Sequence, residues 1–411
     1  MTTQTPTRLH QLRVRNFRVL RDVELRLSPL SVFLGPNGSG KSTLLDVFAL
    51  IQDAASSNLE DAWYRAGRMA NLRSRQSSGP VEIDLTYSDE GTAGRPVRYH
   101  LAVDEVDGAP RVARELLQWF HDGTTPEHVL DFRDGKGIAR DDETMLPRKE
   151  ALSAGSLALS VFGQQDRYGS VQRTMHSLRD WHVSLFSAER ARETATAGPQ
   201  RRLASDGRNL SNVLQHLAER HPDDLREIVA ALRRQVPRTA GTDTEVLPDD
   251  RLLLHLQDEP FDSPVLSRFV SEGTVKLLAY LILLHGNPPP GLLGIEEPDN
   301  QLHSRLIYGL AEEMRIAAGR SQLVVTTHSP YLVDALRPEE LWTLYRADDG
   351  YARAVRAADV PRLMAQLRAG GSLGDLWMAG YFDVGDPLTR GGRPRGRVDG
   401  LRRLVGEESN A

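Results

Sequence analysis

The stretch Gly35-Pro36-Asn37-Gly38-Ser39-Gly40-Lys41-Ser42-Thr43 has the spacing of a phosphate-binding loop, G-x-x-x-x-G-K-[ST]. Glycines at Gly35, Gly38 and Gly40 let consecutive backbone N–H groups turn inward around a phosphate chain. A helix starting here adds its positive N-terminal end. Lys41 is placed to reach the phosphates and the Ser42 hydroxyl to coordinate Mg²⁺, with Asn37, Ser39 and Thr43 completing the cradle. Glu296 and Glu297 follow the apolar run Leu292–Ile295. In phosphoryl transfer the first acid of such a pair holds Mg²⁺ through water, and the second can face the γ-phosphate and orient the attacking water. The first position is usually Asp; here it is Glu296. His328 closes another apolar run, Leu323–Thr327, where an imidazole can donate a hydrogen bond to a γ-phosphate. Ser271 and Gly273 precede an apolar helix and offer a hydroxyl and free N–H groups, a second point for an anion.

These residues require strands that end at one edge and helices that begin there. Leu12 and Val14, then Val23, Leu25 and Leu27, alternate with polar residues as strands do. Ser31–Leu34 reads as a short buried strand running into the loop, and Ser42–Ala54 as the helix after it. Strands are expected at Val81–Tyr87, Val97–Val103, Glu115–Phe120 and Val129–Phe132, with a turn at Asp134-Gly135. Beyond, helices are expected at Leu210–Arg220, Asp223–Gln235, Thr274–Leu284, Ser304–Ala318 and Tyr331–Ala335, and strands at Leu292–Ile295 and Leu323–Thr326, with Gly319 as a helix cap. The expected division is an N-terminal part of the core (1–140), a mainly helical insertion (141–262), a C-terminal part of the core (263–380) and an Arg/Gly-rich tail without fixed structure (381–411).

Composition excludes several chemistries. The 411 residues contain no cysteine, which removes disulfides, thiolate nucleophiles and cysteine-held metals. A net charge of −5 argues against a basic coat for nucleic acid, though not against a local groove. The longest apolar run, Leu277–Leu284, falls far short of the roughly 20 residues that span a bilayer, and Met1–Arg8 lacks the apolar core of a signal peptide. A cytoplasmic protein without membrane contact is expected. The lysines are Lys41, Lys136, Lys149 and Lys276, all other basic charge being arginine. Arg201-Arg202 and Arg233-Arg234 could meet phosphates but read first as surface charge, and Asp375 and Trp377 read as docking the C-terminal segment on the core.

The motif order resembles the ABC ATPases, and in detail the RecF-like, SMC-head-like and OLD-type ATPases. Arg13-Val14-Arg15-Asn16-Phe17-Arg18 is similar to their first strand, and Ser271-Glu272-Gly273-Thr274 to their signature. Glu296-Glu297-Pro298-Asp299-Asn300-Gln301-Leu302-His303 resembles their joined Walker B and D-loop, and Thr327-His328-Ser329-Pro330 their His-switch. Asp206-Gly207-Arg208-Asn209-Leu210 is similar to a stretch of their inserted region.

The resemblance implies an α/β P-loop fold of ABC-head type: a mixed β-sheet core, flanking helices and an α-rich insertion. It implies ATP and Mg²⁺ as ligands, with Ser42 and Glu296 on the metal, Glu297 as general base and His328 at the γ-phosphate. It also implies a homodimer on ATP binding, in which Ser271 and Gly273 reach the partner's ATP and Asp299 and Asn300 form the D-loop. Two outputs fit: an ATPase linked to DNA, in repair or defence against foreign DNA, or a scaffold whose ATP state switches a separate effector such as a nuclease. The segment after Tyr345 reads as too short for a Toprim nuclease domain, and the signature is unlike that of transporters. The Q-loop glutamine has Gln164 and Gln165 as candidates.

Overall fold

The computed structural model describes residues 7–88, 94–120, 125–259, 261–382 and 384. Its centre is a sheet in the order β10 (His182–Ser184), β15 (Leu292–Glu296), β16 (Gln322–Thr327), β3 (Leu30–Leu34), β17 (Leu341–Arg346), β18 (Ala352–Arg356). All neighbours are parallel except the hairpin pair β17–β18. Strands covered on both faces must be apolar throughout, and β3 and β16 are buried at every residue. Their alternate side chains serve different cores. Phe33 and Val324 face one apolar cluster, while Val32, Leu34, Leu323 and Val325 face the other.

The first cluster fills the space between α1 (Lys41–Ser56) and an antiparallel sheet ordered β2 (Leu20–Arg26), β1 (Arg8–Phe17), β4 (Val81–Ser88), β5 (Val97–Val106), β6 (Ala109–Phe120), β7 (Pro126–Arg133), β8 (Lys136–Arg140), β9 (Pro147–Ala151). The expected pairing of the opening strands is present, with Leu12 opposite Leu25 and Val14 opposite Val23. Short helices α2 (Leu59–Ala66) and α3 (Arg68–Leu72) extend from α1. Helices α4 (Ala158–Phe162) and α5 (Gly169–Arg179) close the same cluster, burying Phe162, Val171 and Met175.

The second cluster lies on the opposite face of the central sheet. It packs α9 (Glu272–His285), whose middle is apolar all round, against α10 (Ser304–Ala317), α7 (Leu210–Arg220) and α8 (Pro222–Gln235). Short α6 (Ala188–Ala191) joins this side. The C-terminal α11 (Pro330–Asp334), α12 (Pro361–Arg368) and α13 (Leu373–Met378) complete it, with Trp377 packed against the cluster and Phe382.

The segment 141–262 differs from the mainly helical body expected. Helices α4 and α5 belong to the first core, and β10 becomes an edge strand of the central sheet. A hairpin of β12 (Thr239–Val246) and β13 (Arg251–Asp258) stands on the second side, flanked by β11 (Ala195–Thr196) and β14 (Val265–Leu266). Strand β12 is held by its register on β13, not by apolar alternation of its own: its sequence is TAGTDTEV. Gly319 follows the capping residue Ala318 without a left-handed conformation. The Arg/Gly-rich tail expected from 381 onward lies, but for residues 381, 382 and 384, outside the described residues.

Candidate nucleotide site

Because β15, β16 and β3 run parallel and adjacent, their carboxyl ends meet at one edge, where ligands collect in open α/β sheets. At β3 the chain enters the loop through Gly35, where an added Cβ would lie 2.1 Å from the Leu344 carbonyl oxygen of β17. Gly38 (φ 77°) and Gly40 (φ 109°) take left-handed conformations that a side chain would oppose. Lys41 opens α1, is 5% exposed, and donates from Nζ to the carbonyls of Gly35 (2.8 Å) and Pro36 (3.2 Å). The ammonium is therefore folded back over its own loop. Asn37, Gly38 and Ser42 are exposed there, Thr43 is half-buried, and Ser39 is buried.

At the end of β15, Glu296 is half-buried and Glu297 adopts φ 42°. A left-handed non-glycine residue costs roughly 1–3 kcal/mol and persists where its surroundings over-determine it. Here the Glu297 N–H donates to the Thr326 carbonyl (3.0 Å), and its own carbonyl accepts from Lys276 Nζ (3.0 Å). The carboxylate is thereby held between two partners: His328 Nε2 at 2.9 Å from Oε1, and Asn300 Nδ2 at 2.5 Å from Oε2. Asp299 is buried behind this pair and accepts from Thr327 Oγ1 at 2.6 Å.

The proximity of these groups shifts their proton affinities. Burial lowers the Lys41 ammonium to about 8, against the opposing pull of Glu297, Glu296 and Asp299. Burial and then Lys41 lower the pKa of His328, with Glu297 opposing. Burial raises Asp299. A cation at the start of α1, the acids at and just after the end of β15 and an imidazole after β16 thus converge from three separate parts of the chain.

Ser271 and Gly273 lie at the start of α9, against the 299–302 turn. Ser271 is the helix N-cap: its Oγ accepts from Thr274 N–H (3.2 Å) and lies 2.7 Å from Thr274 Oγ1. An added Cβ at Gly273 would lie 2.7 Å from the Gln301 carbonyl oxygen. Ser271 is exposed, and its hydrogen bonds stay within its own first turn.

Gln164 and Gln165 are not at this edge. Gln164 lines a cleft with Ser57, Asn58 and Glu60, past the far end of α1, a helix whose 16 residues span roughly 24 Å at 1.5 Å per residue.

Two features were missed in the sequence. Lys276, in the sequence only one of the lysines, donates to the carbonyls of Glu297 and Asn300. The turn between β1 and β2 packs on the loop, since a Cβ at Gly40 would meet Val19 Cγ2 at 3.0 Å. Beside it opens a cavity of about 440 Å³ lined by Arg18, Arg73, Gln76, Arg346 and Tyr351. In the sequence Arg18 stands only at the end of the motif similar to the family's first strand; nothing local brings Arg346 and Tyr351 to it.

For Mg²⁺, the donors on offer are hard oxygens, the Ser42 hydroxyl and the Glu296 carboxylate. This fits an ion that keeps several waters and shares the phosphates. Among the described residues no cluster of three or more His, Asp or Glu side chains forms a cage by itself.

Residues 30–334 match the family model described as "AAA domain, putative AbiEii toxin, Type IV TA system". The chain is 44% identical over 359 residues to an OLD nuclease of Thermus scotoductus, a match covering 81% of this chain and 61% of that protein. The chain thus spans less than two thirds of that relative's length. Among solved structures it is similar to an SMC head bound to the C-terminal winged-helix domain of ScpA, with TM-score 0.55, 14% identity, and 84% of this chain and 97% of that one covered. It is also similar to an SMC head with an extended coiled coil, bound to the C-terminal domain of ScpA from Pyrococcus furiosus. That match has TM-score 0.50 and 12% identity, and covers 88% of this chain and all of the other. Among the described residues no helix is long and apolar enough to cross a membrane.

Proposed function

The chain belongs to this AAA-domain family, an ABC- and SMC-head-like ATPase related to OLD proteins, and on that premise we propose that it hydrolyses Mg²⁺-bound ATP at the loop edge and pairs with a second copy as it does so. The observation that carries the reading is the 2.9 Å contact between His328 Nε2 and Glu297 Oε1, both facing Lys41.

In this reading, Lys41 leaves the loop carbonyls to meet the β- and γ-phosphates, while N–H groups of residues 37–43 hold the rest of the chain of oxygens. Mg²⁺, held by Ser42 and Glu296 when bound, neutralises charge on the phosphate oxygens. Glu297 accepts a proton from the attacking water, and His328 hydrogen-bonds the γ-phosphate. The base and ribose rest in the cavity lined by Arg18 and Tyr351. Ser271 and Gly273 meet the ATP of the partner copy, and Asp299 and Asn300 line the joint. Closure on ATP and release after hydrolysis make the output mechanical or regulatory.

The cycle serves DNA, in repair or in defence against foreign DNA. The test is steady-state ATP turnover with and without duplex and single-stranded DNA. Stimulation by one of them supports the reading; turnover indifferent to both contradicts it. The 44% identity to a protein named OLD nuclease favours a second form, in which the ATP state of this chain governs nuclease chemistry in a separate effector. Recovery of a stoichiometric protein partner, with ATP-dependent DNA cleavage by the pair, would select it.

A further inference from the structure

Lys276 lies on α9 one turn after Gly273 and is 6% exposed. Its ammonium donates to two carbonyls of one turn, those of Glu297 and Asn300, each at 3.0 Å. These are the same two residues whose side chains meet, Asn300 Nδ2 donating to Glu297 Oε2 at 2.5 Å. Two more contacts join helix and turn: Gly273 against the Gln301 carbonyl, and Gln301 Nε2 donating to Glu272 Oε2 at 2.5 Å. Arg192 of the inserted segment ties Glu272 (3.5 Å) and the Val270 carbonyl to the same place.

Burial lowers the pKa of the Lys276 ammonium, against the pull of Asp299 and Glu297 on the turn, Glu272 on its own helix and Glu296 on β15. A buried lysine is costly without such compensation. Apolar packing alone would call for leucine here, as at the neighbouring Leu277 and Leu278. The charge is spent on fixing the backbone that aims Glu297.

We propose that Lys276 is a positioning residue that couples the Ser271–Gly273 end of its helix to the Glu297 carboxylate of the same subunit, so that engaging the partner's ATP sets the acid over the subunit's own ATP. The proposal rests on the ATP-dependent dimer described above. The helix end and the acid serve different nucleotides in such a dimer, so the lysine links the two sites, and hydrolysis is cooperative because of it.

The experiment uses the full chain as wild type, Lys276→Met and Lys276→Arg. It measures ATP affinity by titration and hydrolysis rate against ATP concentration. Wild type is expected to hydrolyse with a Hill coefficient above one. In Lys276→Met the Kd for ATP stays within about 2-fold while kcat falls about 10- to 100-fold, the scale of a misplaced catalytic group, and the Hill coefficient drops to one. Lys276→Arg, which keeps the cation and donors, recovers much of both. If Lys276→Met does not fold, Lys276→Gln, with one N–H donor group retained, is read in its place.

Wild-type kcat and cooperativity in the folded variant would overturn the proposal. So would ATP-binding stoichiometry and kcat falling together in proportion to the folded fraction, with the Hill coefficient unchanged, because that marks a purely structural lysine. Failure of the wild type to bind ATP or to pair would instead overturn the underlying dimer reading, and shows in the same titration before any variant is compared.

Discussion

At the scale of single residues, the site sets a buried cation near acids that it does not touch. Among the described residues the hydrogen-bond partners of Lys41 Nζ are the carbonyls of Gly35 and Pro36. With its ammonium lowered to about 8 by burial, the free chain carries a mainly neutral Lys41 above that pH. A triphosphate favours the charged form, so ATP binding takes up a proton there. Affinity should therefore fall as pH rises through 8 toward the usual lysine range, approaching tenfold per pH unit. Titrations between pH 7 and 10, with Lys41→Ala as reference, check this. The variant should bind about 100-fold more weakly at pH 7, from charge-assisted bonds lost, and show no such slope.

The loop, the acid pair and His328 could be read from sequence because each is a local pattern whose chemistry depends on near neighbours in the chain. Lys276 and the cavity beside Arg18 could not, since one depends on a contact across 21 residues (Lys276 to Glu297) and the other on lining residues more than 300 apart (Arg18 and Tyr351).

At the scale of elements, the parallel strands announced themselves as short apolar runs, because a strand covered on both faces has no polar side to show. The antiparallel strands showed by alternation. The hairpin β12–β13 did neither on its first arm, and residues 141–262 therefore read as more helical and more unitary than they are. One buried carboxylate ties two of these elements. Glu115 on β6 is fully buried, accepts from the N–H groups of Ala158 (2.6 Å) and Leu159 (2.9 Å) at the start of α4, and from Tyr99 Oη (3.0 Å).

Burial pushes this carboxyl up to about 7 from the usual 4.5, against those hydrogen bonds. The folded chain therefore holds a proton that the unfolded chain has lost. The stabilisation is complete below about pH 4.5 and is lost as pH rises through 7. Its full size is about 3 kcal/mol at 1.36 kcal/mol per pH unit. Melting curves from pH 5 to 8.5 should show wild type losing stability relative to Glu115→Gln as pH rises. A constant difference between the two would mean that Glu115 does not titrate in that window.

At the scale of the whole molecule, two apolar cores on opposite faces of one largely parallel sheet hold the loop edge between them. The loop and α1 belong to the first core, α9 to the second, and Glu297 and His328 stand at strand ends where the two meet. Nothing in composition shows this division; it follows from which face of β3 and β16 each side chain takes. An assembly of two copies would place each α9 end against the other copy's loop, and the energy of ATP binding would be spent on closing that joint.

The most direct test is Glu297→Gln compared with wild type, each with Mg²⁺ and ATP, followed for turnover and for mass in solution. The expected result is ATP binding close to wild type, turnover lower by at least about 100-fold for loss of the base, and a dimer that persists in the variant but dissolves in wild type as ATP is consumed. A Glu297→Gln protein that hydrolyses ATP at the wild-type rate would contradict the central claim, and loss of turnover in Glu296→Gln alone would move the base one residue back.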